Sequence, residues 1–479
     1  MLKCLDFRWS DRRDRLAVLW LGIAAVVLGV AGEARAQQGW VVKPEWVRAH
    51  EEFLASDALA GRGSATRDEQ IAAEYVASEF VAYGLKAAPG MNGMIQSAEI
   101  VAVELDGKAG LNAGGVTFDE GQDLRVLFAS GVSTSGPLVR VAAADAKQAK
   151  VAKGSVVLVT DASSQGSGLT LAYQMRRSGA GLVLFEEDDA LRSYLAKNPK
   201  PRVPLRLKEE AGDGAGLPAT VASLSSAAFA KLSGMKDGAA VTLTVHPLPT
   251  KPRKTFNAVG YLEGTDAAAG TILLTAHLDH LGVAATPVNG DSIYNGANDD
   301  AAGTTAVMEL AHALAAGVPL RRSVLFVCYG SEEAGELGSE YFGRHTPVPL
   351  SQLVANLEFE MIGAQDPKMP KGVLLFTGWE RSNLGPALRE HGALVGPDPY
   401  PEQKFFERSD NYQLALQGVV AHTAAGWGTV PTYHQVNDDL AHIDLGFMTG
   451  AIQSLVEPVR WLATSDFKPS WNPGGQPKR

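Results

Sequence analysis

The 479 residues are 46% hydrophobic and 20% charged, with 51 glycines, the composition of a globular chain long enough for more than one domain; disordered and fibrous classes are excluded. A formal net charge of −10 with no basic stripe offers nothing to neutralise phosphates, so no nucleic-acid partner is expected.

In chain order, residues 1–36 read as a signal peptide: a basic start, an apolar stretch from Leu16 to Gly32 and "ARA" before Gln37. The alternative is a retained membrane anchor of similar apolar length. Export to the periplasm or exterior is expected, with no stable membrane insertion after cleavage. Removal of Cys4 with this segment leaves Cys328, so no intrachain disulfide is expected and stability must come from the core. Cys328 lies in an apolar run and reads as packing.

"PEWVRAHEEFLASDAL" and "EQIAAEYVASEFVAYGL" predict helices within residues 37–115, the first part of a main domain, with Gly84 as a stop. From Val116 to Pro249 the texture changes to short β-rich runs, one helix-like segment and small polar turns, which predicts a compact inserted domain. Over 250–465 apolar strands alternate with amphipathic helices: "TILLTAHLD", "RSVLFVCYG", "LVANLEFEMIG", "GVLLFTG" and "GVVAHTAAG" are the strand candidates. This predicts an α/β fold whose sheet is covered by helices on both faces, followed by a tail over 466–479. Ligands of such sheets bind outside the carboxyl ends of the strands.

Those ends carry His277 and Asp279, Asp299 and Asp300, Glu332 and Glu333, Glu358 and Glu360, and His434. One acidic residue after a strand is ordinarily a solvated loop or a helix cap. Several at one sheet edge repel one another unless cations neutralise them. Histidine nitrogen and carboxylate oxygen are zinc ligands, and two ions sharing one carboxylate would use the full set. Asp279, two residues after His277, is expected to accept the second ring N–H of that histidine and orient it. Of the adjacent glutamates at the strand end, Glu333 is expected to ligate and Glu332 to act as base toward a metal-activated water. His280 should point away from Asp279 and serve structure.

"TAHLDHLG", "YNGANDDAAGTTAVMELA", "FVCYGSEEAGELGSEYF", "NLEFEMIG", "FFERSDNYQLALQGV" and "YHQVNDD" together resemble the co-catalytic di-zinc metallopeptidases of the bacterial leucyl aminopeptidase and glutamate carboxypeptidase type. The resemblance implies a mixed, mostly parallel sheet and two Zn2+ per chain. Asp299 would bridge, with His277 and Glu360 completing one site and Glu333 and His434 the other, and Glu332 would be the general base. It also implies that 116–249 is a protease-associated domain and that the substrates are peptides cut at the N-terminus. Glu360 stands where aspartate is common in the aminopeptidases. Asp410, Tyr433 and Arg408 are candidates for support or substrate contact. Carboxypeptidase or dipeptidase action, glutaminyl cyclisation and an inactive binding protein are the alternatives on this scaffold.

Overall fold

The computed structural model describes residues 39–146, 148–161, 168–197, 204–210 and 219–478. The signal segment expected over 1–36, with Cys4, lies outside the described residues. Two units are distinguished, 1–42 and 43–479. Residues 39–42 of the first are irregular, and the second holds everything that follows.

Its principal sheet has nine strands: β1 (Ile95–Ala102), β2 (Leu205–Leu207), β3 (Arg253–Leu262), β4 (Thr271–His277), β5 (Ser323–Tyr329), β6 (Leu353–Glu360), β7 (Leu374–Phe376), β8 (Val395–Pro397) and β9 (Ala421–Ala425). They lie in the order β8-β7-β9-β6-β4-β5-β3-β1-β2. The centre, β5-β4-β6-β9, is parallel. The β3-β1-β2 edge is antiparallel, so the mixture is more even than the mostly parallel sheet expected.

Every residue of β4 and β5 is buried, which explains their unbroken apolar runs: a strand covered on both faces has no solvent side to alternate with. Helix α1 (Pro44–Leu54) and helix α2 (Arg67–Ala82) precede the sheet, α3 (Ala302–Ala315) joins β4 to β5, and α4 (Leu337–Arg344), α5 (Asn411–Ala415) and α6 (Leu445–Thr464) follow. Successive strand residues point to opposite faces. Leu273, Leu325, Val327 and Tyr329 pack with Phe342 of α4 and Leu414 of α5, whereas Phe326 meets Phe80 of α2.

Between β1 and β3 the chain builds a second sheet of eight strands. It begins with Gly110–Ala113, paired to Ala240–Thr244, so the second sheet starts ahead of Val116. The insertion is also not fully separate: β2, from its middle, returns to hydrogen-bond β1 at the edge of the principal sheet. Among the described residues no helix is long and apolar enough to cross a membrane.

Candidate metal centre and active site

Four parallel strands deliver the site. His277 is the last residue of β4, Glu332 and Glu333 follow β5, Glu360 ends β6, and His434 lies in the loop after β9. Asp299 comes from the turn that precedes α3, in a stretch where Ala297 to Ala301 are all buried. Ser331, Met361 and His434 are non-glycine residues with φ of 53°, 54° and 55°. Left-handed backbone of this kind costs free energy and persists where the surroundings enforce it, commonly at functional sites.

The polar side chains converge on Asp299. His277 Nε2 lies 3.2 Å from its Oδ1, and His434 Nε2 lies 3.2 Å from its Oδ2. His434 Nε2 is also 3.0 Å from Glu333 Oε1. Two triads have ligand atoms all within 4.8 Å of one another: His277, Asp299 and Glu360, and His280, Asp299 and Glu333. They share Asp299 and nothing else, the relation a bridging carboxylate requires. Asp299 Oδ2 is buried and makes no well-aligned hydrogen bond. Buried, charge-rich nitrogen and oxygen donors with unused lone pairs fit zinc-type coordination.

Electrostatics give each carboxylate its own state. Burial would raise the Asp299 carboxyl, yet His280, His277 and His434 hold it well below the ordinary range. Burial and Asp299 push Glu333 up, but His280 and His434 bring it down to about 2. Burial raises Glu332 well above its ordinary value; His277 opposes this, while Glu333, Asp410 and Glu360 reinforce it. Glu332 is thus shifted in the opposite direction from its neighbour Glu333, a separation that suits different roles for the two.

The structure separates Glu358 from Glu360. Glu358 accepts hydrogen bonds from Ser409 Oγ (2.8 Å), Asn411 N (2.5 Å) and Thr423 Oγ1 (3.2 Å), so its carboxylate is engaged in bracing the sheet. Glu360 is in the triad. Asp279 also differs from expectation. His277 Nδ1 is 3.2 Å from the Asp279 carbonyl oxygen and 3.8 Å from its carboxylate. That carboxylate accepts from Glu332 N at 2.9 Å and from Ser64 Oγ at 2.6 Å. Asp279 thus fixes the backbone of Glu332 more directly than the ring of His277.

His280 was expected to point away, and it points in. The strand geometry behind that expectation stops at His277; beyond it the chain leaves β4, and His280 makes an isolated bridge with Gly63. Tyr433 stacks on His434 with ring centroids 3.9 Å apart. Arg408 and Tyr433 both line a small pocket beside Glu360. Asp410 is buried and raised well above its ordinary value, first by burial and then by Glu358, but no direct contact joins it to the triads.

Three further carboxylates anchor the backbone around the site. Asp438 accepts from Asn298 N at 3.1 Å and Asp299 N at 3.0 Å. Asp300 accepts from Met361 N and Gly303 N, each at 2.9 Å. Glu69 of α2 accepts from Ala65 N, Thr255 Oγ1, Phe256 N, and both Ser331 N and Oγ. Asp438 stands within the quoted "YHQVNDD" and Asp300 beside Asp299, so proximity to a motif is a signal for both. Glu69 lies in the helical stretch ahead of the second sheet, far in sequence from the strand-end motifs.

Residues 257–457 match peptidase family M28. The leupeptin-inactivating enzyme 1 of Streptomyces exfoliatus is 28% identical over 138 residues, 28% of this chain and 29% of its own length. The chain thus spans less than a third of that relative. Among solved structures, the aminopeptidase from Aneurinibacillus sp. strain AM-1 superposes with a TM-score of 0.52 at 18% identity, over 91% of this chain and 98% of that one. BSAP, a zinc aminopeptidase from Bacillus subtilis, gives 0.50 at 18% identity, over 90% and 98%. These two likenesses establish a shared fold.

Proposed function

From the match of residues 257–457 to peptidase family M28, we propose that the chain is an exported zinc aminopeptidase of that family with two Zn2+ per chain, removing N-terminal residues from peptides. The observation that carries this reading is the sharing of Asp299 by two groups of possible metal ligands, with His277 Nε2 beside its Oδ1 and His434 Nε2 beside its Oδ2. His277 and Glu360 would complete one position, and Glu333 and His434 the other. Bound there, the cations would polarise the scissile carbonyl and lower the pKa of water.

The chain's own residues do the remainder. Asp279 holds the Glu332 backbone, which aims the Glu332 side chain at the site while its neighbour Glu333 turns to the imidazoles. Glu332 would take the proton of the attacking water and deliver it to the departing amine. Asp410 would act at a distance, raising Glu332, and Tyr433 would hold the plane of the His434 ring. The second sheet, inserted between β1 and β3, is read as a protease-associated domain, and the segment 1–36 as the export signal.

One observation favours a second reading. Arg408 borders the small pocket beside Glu360, where a guanidinium could meet a substrate carboxylate as a carboxypeptidase requires. Peptides blocked at one end or the other separate the two.

Replacing Glu332 by glutamine tests the assignment. Turnover should fall by about 10²–10⁴-fold, the usual worth of a general base, with zinc content unchanged. Undiminished turnover would sink it.

A further inference from the structure

We propose that His280 is itself a zinc ligand, joining Asp299, Glu333 and His434, so that one cation position has four protein ligands and the other three. The proposal rests on the two-cation reading above and deepens it.

The first ground is distance. Ligand atoms about 2.0–2.2 Å from a tetrahedral ion stand roughly 3.3 Å from one another. His280 Nδ1 is 2.9 Å from Glu333 Oε1 and 3.9 Å from Asp299 Oδ2. His434 Nε2 is 3.0 and 3.2 Å from the same two oxygens. Both imidazoles therefore approach one pair of carboxylate oxygens at coordination spacing.

The second ground is what His280 otherwise lacks. It is completely buried, and neither ring nitrogen makes a well-aligned hydrogen bond. Buried imidazoles ordinarily have partners. His422 shows this within the same sheet, with Thr377 O at 2.8 Å from Nδ1 and Ser382 Oγ at 2.7 Å from Nε2. An imidazole whose close polar neighbours are carboxylate oxygens, with no neutral partner of the kind His422 has, is placed for a cation.

The third ground is that the ring is clamped. His280 N donates to Arg62 O at 3.1 Å, and Arg62, fully buried, spends its guanidinium on Leu278 O, Asn295 O and Gly296 O among other carbonyls. Gly296, at φ +60°, lies so close that a Cβ there would stand 2.6 Å from the ring carbons Cγ and Cδ2. The backbone has been cleared to seat this ring in one place.

The consequence is asymmetry. Four protein ligands make a closed zinc site, whereas three leave a position open for reactants. The Asp299, Glu333, His434, His280 position would hold its ion tightly as a fixture. The Asp299, His277, Glu360 position would exchange more readily and present the open coordination.

The test is zinc titration of the full chain against a competing chelator, with zinc K-edge absorption counting imidazoles. Wild type should bind two ions of unequal affinity, with three imidazoles shared between them. His280→Gln should weaken the tighter ion by at least about 10–100-fold and leave the weaker one, which His277→Gln should remove. Two affinities unchanged in a folded His280→Gln chain, or two imidazoles per pair of ions in wild type, overturns the proposal. The absorption measurement on wild type decides even if the variant does not fold. A wild-type chain taking one ion contradicts the two-cation reading, and two imidazoles or one at that ion still decide the role of His280.

Discussion

Asp438 accepts the backbone N–H groups of Asn298 and Asp299, and thereby fixes the residue on which both triads depend. Removing such a support typically costs a metal site about 10–100-fold in affinity. Asp438→Ala is expected to lose that much zinc affinity while retaining the fold, checked by chelator competition alongside far-UV circular dichroism. At the residue scale, the placement of His277, Glu332, Glu333 and Glu360 at the ends of strands was legible because each ends or follows an apolar run, and position at a strand end is a property of the sequence. Asp279, His280 and Asp438 were legible only as members of motifs, and their contacts were not. Their function depends on the path of the backbone after a strand stops, which alternation cannot describe.

At the scale of elements, α2 is joined to the site by Glu69, which reaches Ser331 immediately before Glu332. The Thr66-x-x-Glu69 spacing marks a helix start, and Thr66 does accept from Asp68 N and Glu69 N. Nothing in that spacing indicates that Glu69 crosses to the β5 loop, 262 residues away, because the partner is fixed by tertiary packing. Glu69→Ala would leave buried N–H groups unpaired and should lower stability by at least about 2 kcal/mol, measured by urea denaturation.

Helix α1 supplies a pH dependence. Burial pushes the Glu51 carboxyl from 4.5 up to about 8, against the Thr305 hydrogen bond and Arg62 and with help from Asp438. Between those values the folded chain holds a proton that the unfolded chain has released. The contribution is therefore present below about 4.5 and declines as pH rises toward 8. Melting temperature should fall over this interval, and Glu51→Gln should make the fall shallower; an unchanged slope would contradict the shift.

For the whole molecule, the alternation of strand and helix made the covered α/β sheet legible, and the change of texture marked the stretch that holds most of the second sheet. The return of β2 to the principal sheet was not legible, since three residues pairing across a long connection carry no periodicity. The inserted lobe and the site together wall a cleft of about 2000 Å³, larger than the several hundred cubic ångströms usual for small ligands, and His280, Glu333 and Arg408 line it alongside Val132 and Ser133 of the insertion. A peptide longer than the residue being removed has room there. Val132→Trp, at an exposed position on that wall, should raise KM for peptides several-fold and leave a single amino-acid anilide unaffected; equal effects on both would remove the lobe from substrate binding.

In the centre we propose, Asp299 joins two zinc positions for action on free amino termini. The most direct test is to add zinc stepwise to the metal-free chain while following hydrolysis of leucine anilide and its N-acetyl derivative. Two ions should bind per chain, with full turnover reached only with both in place and the free-amine substrate alone cleaved. Full activity with one ion, or equal cleavage of the acetylated substrate, would contradict it.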